Sequence, residues 1–512
     1  MSYLIGIDVG TSGTKTLLID ADGKVIASAT LEYPLHTPRP LWAEQDPADW
    51  WRATAGSIAA VLAKAGVNAA EVAGLGLTGQ MHGMVALDAQ GQVLRPCIMW
   101  NDQRTAAQCA EIMSTVGHER FLHLTGNVAL PGFTAPKILW VRENEPEVYR
   151  QIAKVLLPKD YIRYRLTGDY ATEVSDAAGT VLLDTAHRRW SSEVLQALDI
   201  PEAWMPTCYE SPAVTGTLSE AAARETGLKA GLPVIGGGGD NAAAAIGSGV
   251  VQEGVISVST GTSGVVFAHT DEMKLDPQAR LHSFCHAVPG RWHVMGVMLS
   301  AGGSLRWLRD TIGGPEKEVS ALTGADPYVY MDAEAARVAP GCEGLLFLPY
   351  LTGERTPYPD PNARGAFVGL TLRHSKGALV RSVLEGVAYG LRDSLELLKA
   401  LDIPVRQVRA LGGGARSAVW RQIMADIFGA ELVTINITDG AAYGAALLAG
   451  VGSGVYKDVF AAVDRTVRVV DRTEPNAKAA AIYEGYYADY RALYGQLKPT
   501  FDSVAKRVMR NP

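Results

Sequence analysis

Leu4-Ile5-Gly6-Ile7-Asp8-Val9-Gly10-Thr11-Ser12-Gly13 opens the chain, and Val255-Ile256-Ser257-Val258-Ser259-Thr260-Gly261-Thr262-Ser263-Gly264 repeats its plan halfway along. In each copy an apolar run meets a Gly-Thr-Ser-Gly turn, and a second strand-like run follows, residues 16–20 in the first and 265–267 in the second. Apolar runs joined by a short Gly-bearing turn signal a β-hairpin. The tetrapeptide alone is common turn chemistry, and short motifs match by chance. Matching flanks and a spacing of about half the chain make the match read as a duplication, with one hairpin in each half.

Working outward, strands alternate with helices, which argues α/β domains. Asp46-Pro47 supplies an N-cap and an N1 proline for a helix whose apolar face is Trp50, Trp51, Ile58, Val61 and Leu62. Residues 71–87 read as a strand pair interrupted by Gly79-Gln80-Met81-His82-Gly83. Helices are expected over about 375–400, after Gly412-Gly413-Gly414-Ala415-Arg416-Ser417, and over 483–497, with a Pro/Gly-rich loop at 349–365. A chain of 512 residues exceeds one core. Two domains, 1–250 and 251–512, are expected, the boundary falling where Gly247-Ser248-Gly249 precedes the second hairpin.

Composition narrows the function. The formal net charge of −7 and the lack of basic runs argue against a nucleic-acid surface. Five scattered cysteines without a Cys-x-x-Cys pair fit a reducing cytosol, and neither a signal peptide nor a membrane-length apolar run is evident, so a cytoplasmic location is expected. A negative protein that binds a nucleotide must gather positive potential locally. The Gly-Thr-Ser-Gly turns can do so with close-approaching N–H groups, and Thr11, Ser12, Thr14 and Lys15 add hydroxyls and a cation to the first. Asp8 beside a polyphosphate makes electrostatic sense only with a divalent cation between them, so Asp8 reads as a Mg²⁺ partner; taken alone, it is an ordinary turn residue.

Neither the P-loop pattern nor a dinucleotide fingerprint is present: Gly236-Gly237-Gly238-Gly239 and Gly412-Gly413-Gly414 lack the required spacing. After the first of these runs come Asp240, Asn241 and an alanine-rich helix. Asp240 reads equally as an N-cap and as a carboxylate that handles a substrate hydroxyl, and one carboxylate can serve both. His82 alone reads as a structural histidine, and Trp100-Asn101-Asp102-Gln103-Arg104 as either a sugar-binding cluster or a helix cap. His282 and His286 share a strand face while Cys285 points away, which rejects zinc there.

Together these segments resemble the FGGY family of carbohydrate kinases, within the actin, hexokinase and Hsp70 superfamily. The similarity runs from Ile5 to about Val451 and rests on the two hairpins and on residues 41–47 (Leu-Trp-Ala-Glu-Gln-Asp-Pro), 79–83, 131–137 (Pro-Gly-Phe-Thr-Ala-Pro-Lys), 157–161 (Leu-Pro-Lys-Asp-Tyr), 175–180 (Ser-Asp-Ala-Ala-Gly-Thr) and 349–357 (Pro-Tyr-Leu-Thr-Gly-Glu-Arg-Thr-Pro). It implies two actin-like (ribonuclease H-like) domains around a cleft, and transfer of the ATP γ-phosphate to the 5-hydroxyl of D-xylulose. Asp240 is the implied catalytic base, with Asn241, Met81 and His82 at the sugar. Asp8 is implied to support Mg²⁺. ATP is implied to meet Thr11, Ser12, Lys15, Gly261, Thr262, Gly302, Arg306, Gly413, Gly414, Ala415 and Ser417. Met81, His82 and Gly132 replace the glycerol-site residues of glycerol kinases, and Arg306 stands where those have Gln. The expected partners are a small sugar and ATP, without nucleic acid or membrane, and a homodimer stays open. Two alternatives remain: a sibling kinase for ribulose, gluconate or another polyol, and a non-catalytic nucleotide-driven binding protein of the actin or Hsp70 kind.

Overall fold

The computed structural model of the chain describes residues 2–510. Both hairpins form, as Tyr3–Val9 with Gly13–Asp20 and as Gly254–Thr260 with Gly264–Thr270. Each seeds a seven-stranded sheet, and the two sheets repeat one strand plan. In the first, Val25–Glu32, Gly13–Asp20 and Tyr3–Val9 pair antiparallel; Val72–Gly79 and Pro233–Ile235 continue in parallel, and Val214–Thr217 closes the edge antiparallel. In the second, Trp292–Met298, Gly264–Thr270, Gly254–Thr260, Val405–Leu411, Glu431–Ile435 and Val469–Thr473 follow the same sequence of antiparallel and parallel pairings. This is the two-domain α/β architecture of actin-like folds. The central strands are apolar because both faces are covered; Leu4, Ile5, Ile7 and Val9 are all fully buried.

The second sheet carries one further edge strand, His282–Cys285, which reaches into the first half. Asn127 Nδ2 donates to Ser283 O at 2.8 Å, and Phe284, Cys285, Phe267 and Met295 share a core with Phe133, Ile138 and Leu139 of the first half. The halves are thus joined on one side by a common apolar core.

They are also joined by a helix pair. Asp240–Ser248 follows the strand Pro233–Ile235, and Gly440–Gly452 follows the corresponding strand Glu431–Ile435. Glycine permits their crossing: a Cβ on Gly444 would stand 1.8 Å from Ala243 O, and one on Gly247 2.0 Å from Gly440 O. The second helix also lies on the first sheet, where a Cβ on Gly6 would stand 1.9 Å from Ala442 O.

The expected helices are present as Pro47–Ala65, Lys376–Ala400, Ala418–Phe428 and Ala477–Arg510, and Asp46 accepts from Ala48 N at 2.9 Å as the N-cap of the first. One expectation is corrected. Val72–Gly79 and Val85–Leu87 are both strands, but they do not pair with each other; Val85–Leu87 pairs with Lys154–Leu156. The intervening turn places His82 at φ 70° and carries the chain out of the first sheet.

Candidate functional site

Asp240 is placed by glycines. After Pro233–Ile235 the chain passes through Gly237 at φ 83°, where a Cβ would lie 1.9 Å from Leu77 O, and Gly238–Gly239 then runs parallel to Thr78 and Gly79 of the central strand. Gly239 occupies the N-cap position and Asp240 is the first helical residue, one place inside the position that the capping reading gives it. Gly239 N donates to Ser175 Oγ at 3.0 Å, fixing the approach. Asp240 Oδ1 accepts from Asn241 N at 2.7 Å and Asn241 Nδ2 at 2.8 Å, whereas Oδ2 has no hydrogen bond from any described residue. Burial raises the Asp240 pKa to about 6, and the two bonds from Asn241 partly offset it. The carboxylate is therefore ionised at neutral pH, more basic than an ordinary aspartate, and has one oxygen free.

Asp8 lies at the end of the first strand, in register with Lys15 across the hairpin. Its pKa rises to about 7, first by burial and then by repulsion from Asp240 and Asp439, with Lys15 acting in the opposite sense. Lys15 is itself ion-paired to Asp439 of the second half. Three acids thus gather around one committed lysine. Asp439, which the sequence reading passes over, has the same place as Asp240: an acid before the alanine-rich helix of its half. The duplication carried that signal.

Met81 packs against the glycine turn that precedes Asp240, and His82 follows it in the chain. A Cβ on Gly239 would lie 3.0 Å from Met81 Sδ. His82 Nδ1 sits 2.7 Å from Gly179 O; because a carbonyl only accepts, Nδ1 carries the proton and Nε2 is left as an acceptor. Burial lowers the His82 pKa to about 3, so the ring is neutral at physiological pH. It packs edge-on to Phe133 at 4.7 Å. Its backbone is pinned by Lys137, fully buried, whose Nζ donates to both His82 O and Gly132 O at 2.8 Å.

The residues expected at the nucleotide divide. Gly261, Thr262, Gly302, Arg306, Gly413, Gly414 and Ser417 line one cavity of about 350 Å³, together with Asp326, Tyr328, Asp332 and Trp420, which lacked any motif to flag them. Arg306 Nη2 donates to Thr262 Oγ1 at 2.6 Å across its mouth. Ala415 lines the adjoining cavity of about 480 Å³, with Thr438 and Gly440. Thr11 and Ser12 line neither cavity. Thr11 Oγ1 accepts from Trp100 Nε1 at 2.9 Å and donates to Gln80 Oε1 at 3.1 Å, and Ser12 is exposed at the hairpin tip.

Two sequence candidates resolve as structure. Asp102 accepts from Ala43 N at 2.7 Å and pairs with Arg104, whose guanidinium stacks 3.6 Å over Trp42. His282 Nδ1 meets Asn127 Oδ1 at 2.8 Å, and no metal-holding cluster of three or more His, Cys, Asp or Glu occurs among the described residues.

A duplicated actin-like pair of domains, with a basic carboxylate open at one oxygen in the first half and glycine turns lining a cavity in the second, is the arrangement of a small-molecule phosphotransferase. Residues 3–247 match the N-terminal domain of the FGGY family of carbohydrate kinases and residues 256–453 its C-terminal domain, and the chain belongs to that family. It is an ATP-dependent carbohydrate kinase. It is 44% identical to the xylulose kinase of Escherichia coli over 97% of this chain and 99% of that protein, and 33% identical to the gluconokinase of Bacillus subtilis over 98% of each. The crystal structure of xylulose kinase from Rhodospirillum rubrum superposes with a TM-score of 0.89 at 33% identity, covering 98% of this chain and 100% of that one.

Proposed function

We propose that this kinase transfers the ATP γ-phosphate to the 5-hydroxyl of D-xylulose, giving D-xylulose 5-phosphate and ADP. The observation that carries the substrate is the 44% identity to a xylulose kinase over nearly the full length of both chains. Asp240 acts as the general base: Oδ2 takes the O5 proton as the O5–phosphorus bond forms and the bond from phosphorus to the bridging oxygen of ADP breaks. Its raised pKa suits that role, since basicity nearer the working pH favours proton transfer. Asn241 and the neutral His82, with Nε2 as acceptor, hold the sugar hydroxyls, and Met81 forms an apolar wall beside Gly239. The second-half cavity binds adenosine through Gly413, Gly414, Ala415 and Ser417. Gly261, Thr262, Gly302 and Arg306 take the phosphates, with Thr11, Ser12 and Lys15 approaching from the first hairpin as the cleft narrows.

Asp240 and Asp439 repel the Asp8 charge without forming a three-acid metal cage with it, and a divalent cation shared with phosphate oxygens would relieve that repulsion. Asp8 would hold Mg²⁺, which keeps most of its waters and takes phosphate oxygens rather than a full protein cage. When bound, it supplies charge neutralisation of the polyphosphate. The domain boundary falls at about residue 250, supported by the two family matches on either side. The five free cysteines suit a cytoplasmic setting. Among the described residues no helix is long and apolar enough to cross a membrane.

A coupled ADP-release assay over D-xylulose, ribulose, gluconate, glycerol and xylitol tests the assignment. D-xylulose is expected to show the highest kcat/KM. A higher value for ribulose or gluconate overturns the substrate and leaves the family standing.

A further inference from the structure

Arg355 lies in the loop that the sequence reading set apart at 349–365, and its neighbours fasten it rigidly. Thr356 N donates to Val297 O at 3.0 Å, Thr356 Oγ1 accepts from Val297 N at 3.1 Å and donates to Arg280 O at 2.8 Å. Glu354 Oε1 accepts from Leu299 N at 2.9 Å and from Arg355 N at 2.7 Å. Thr356 and Glu354 are buried, whereas Arg355 between them is half-buried. Its guanidinium makes no hydrogen bond or ion pair with any described residue. The neighbouring Glu354 gives little compensation, because burial lifts its pKa to about 8 and it carries a proton at neutral pH.

A recessed cation that its own fold leaves unpaired is costly, and such groups concentrate where a ligand completes them. The surroundings locate that ligand. Burial chiefly lowers the pKa of His82, from the first half, and His282, from the second, and the Arg355 charge adds to it at both. Thr356 Oγ1 is bonded to Arg280 O, two residues before His282, and the His282 ring lies 5.9 Å from Phe133, which packs 4.7 Å from His82. Arg355 is thereby anchored at the histidine end of the sugar site.

We propose that Arg355 is a specificity-determining contact residue, whose planar fork donates to the 1-hydroxyl and 2-keto oxygens of the ketose. A vicinal pair of oxygens presenting lone pairs matches the parallel N–H donors of a guanidinium, and a carbonyl oxygen is an obligate acceptor. A polyol of the same length offers a hydroxyl in place of the carbonyl and forfeits part of the match. Arg355 thus accounts for preference at the end of the sugar opposite Asp240, and the assignment rests on the ketopentose reading above.

The test compares the full-length parent with Arg355→Met and Arg355→Lys, using kcat/KM for D-xylulose and the competitive inhibition constant of xylitol. Arg355→Met is expected to lower kcat/KM for D-xylulose roughly 10–100-fold, as for a lost charge-assisted pair, while xylitol inhibition shifts less than about threefold. KM for ATP and sugar-independent ATP hydrolysis stay at parental values, and Arg355→Lys restores only part of the loss. Equal losses for ketose and polyol, or no loss, overturn the assignment. Thermal melting identifies a misfolded Met variant, and the Lys variant then decides: it must lower the ketose-to-polyol ratio. If the parent prefers an aldonate, the ketose reading falls, and Arg355→Met must still abolish that preference or the contact falls with it.

Discussion

At the scale of single residues, the chemistry turns on whether Asp240 is a base or merely supports its helix. Its position one residue inside the helix start, with Oδ1 committed to Asn241 and Oδ2 free, separates the roles by atom. Asp240→Asn keeps an acceptor for Asn241 N but cannot take a proton. It is expected to lose ~10²–10⁴-fold in kcat, as for other general bases, while ATP affinity is retained. Stability moves the other way. A carboxyl whose folded pKa is raised stabilises the fold while protonated, and that contribution is lost as pH rises through about 6. The Asn variant should therefore melt at or above the parent temperature at pH 8, and the advantage should shrink toward pH 4–5. In the parent, kcat/KM should fall on the acid side below pH about 6, where Asp240 becomes protonated. Half-parental turnover in a stable Asn variant would leave Asp240 without a catalytic role.

At the scale of elements, the helix pair Asp240–Ser248 and Gly440–Gly452 ties the chemistry to the fold. Asp240 begins one helix and Asp439 precedes the other, so their crossing sets how far apart the acids and Lys15 stand. Glycine at the crossing is required by space, because Gly444 and Gly247 meet backbone atoms of the facing helix. Gly444→Ala is expected to cost ~1–3 kcal/mol by overpacking against a backbone carbonyl that cannot yield as a side chain would. Gly495, inside the terminal helix with open space at its Cβ position, is the control: Gly495→Ala is expected to stabilise by ~0.5–1 kcal/mol. Urea denaturation of both variants measures the contrast. Equal stability of Gly444→Ala and parent would mean that the helices do not pack at backbone contact.

For the whole molecule, the cleft has an asymmetric frame. The shared core of Phe133, Phe284 and Met295 fastens the halves along one side, whereas among the described residues Thr11 and Ser12 at the first hairpin tip hydrogen-bond only within the first half. The second-half hairpin already lines the cavity proposed for the nucleotide, and Thr11 and Ser12 of the first do not reach it. Sugar and nucleotide together should therefore draw the first hairpin inward. Small-angle scattering with D-xylulose and a non-hydrolysable ATP analogue is expected to give a smaller radius of gyration than the free protein. An unchanged radius argues against a moving cleft. Closure of this kind excludes water, the competing nucleophile, and slow ATP hydrolysis without sugar is the expected leak.

The two hairpins and their spacing were enough, from sequence alone, to predict duplicated α/β domains, because strand and turn chemistry are local and a repeat preserves both. Asp240 was visible for the same reason: a glycine run before an acid and an alanine-rich helix is a contiguous pattern. Its freedom to act was not visible, since that depends on which oxygen Asn241 occupies. Lys137, Asp439 and Arg355 acquire meaning only through partners far along the chain: the His82 carbonyl, Lys15, and, for Arg355, the absence of any partner among the described residues. The walls of the cavity proposed for adenosine, from Asp326 to Trp420, come from separate elements with no common motif. Hydrogen-bond commitment, burial and electrostatic crowding are properties of distances between remote residues, and only the tertiary structure decides them.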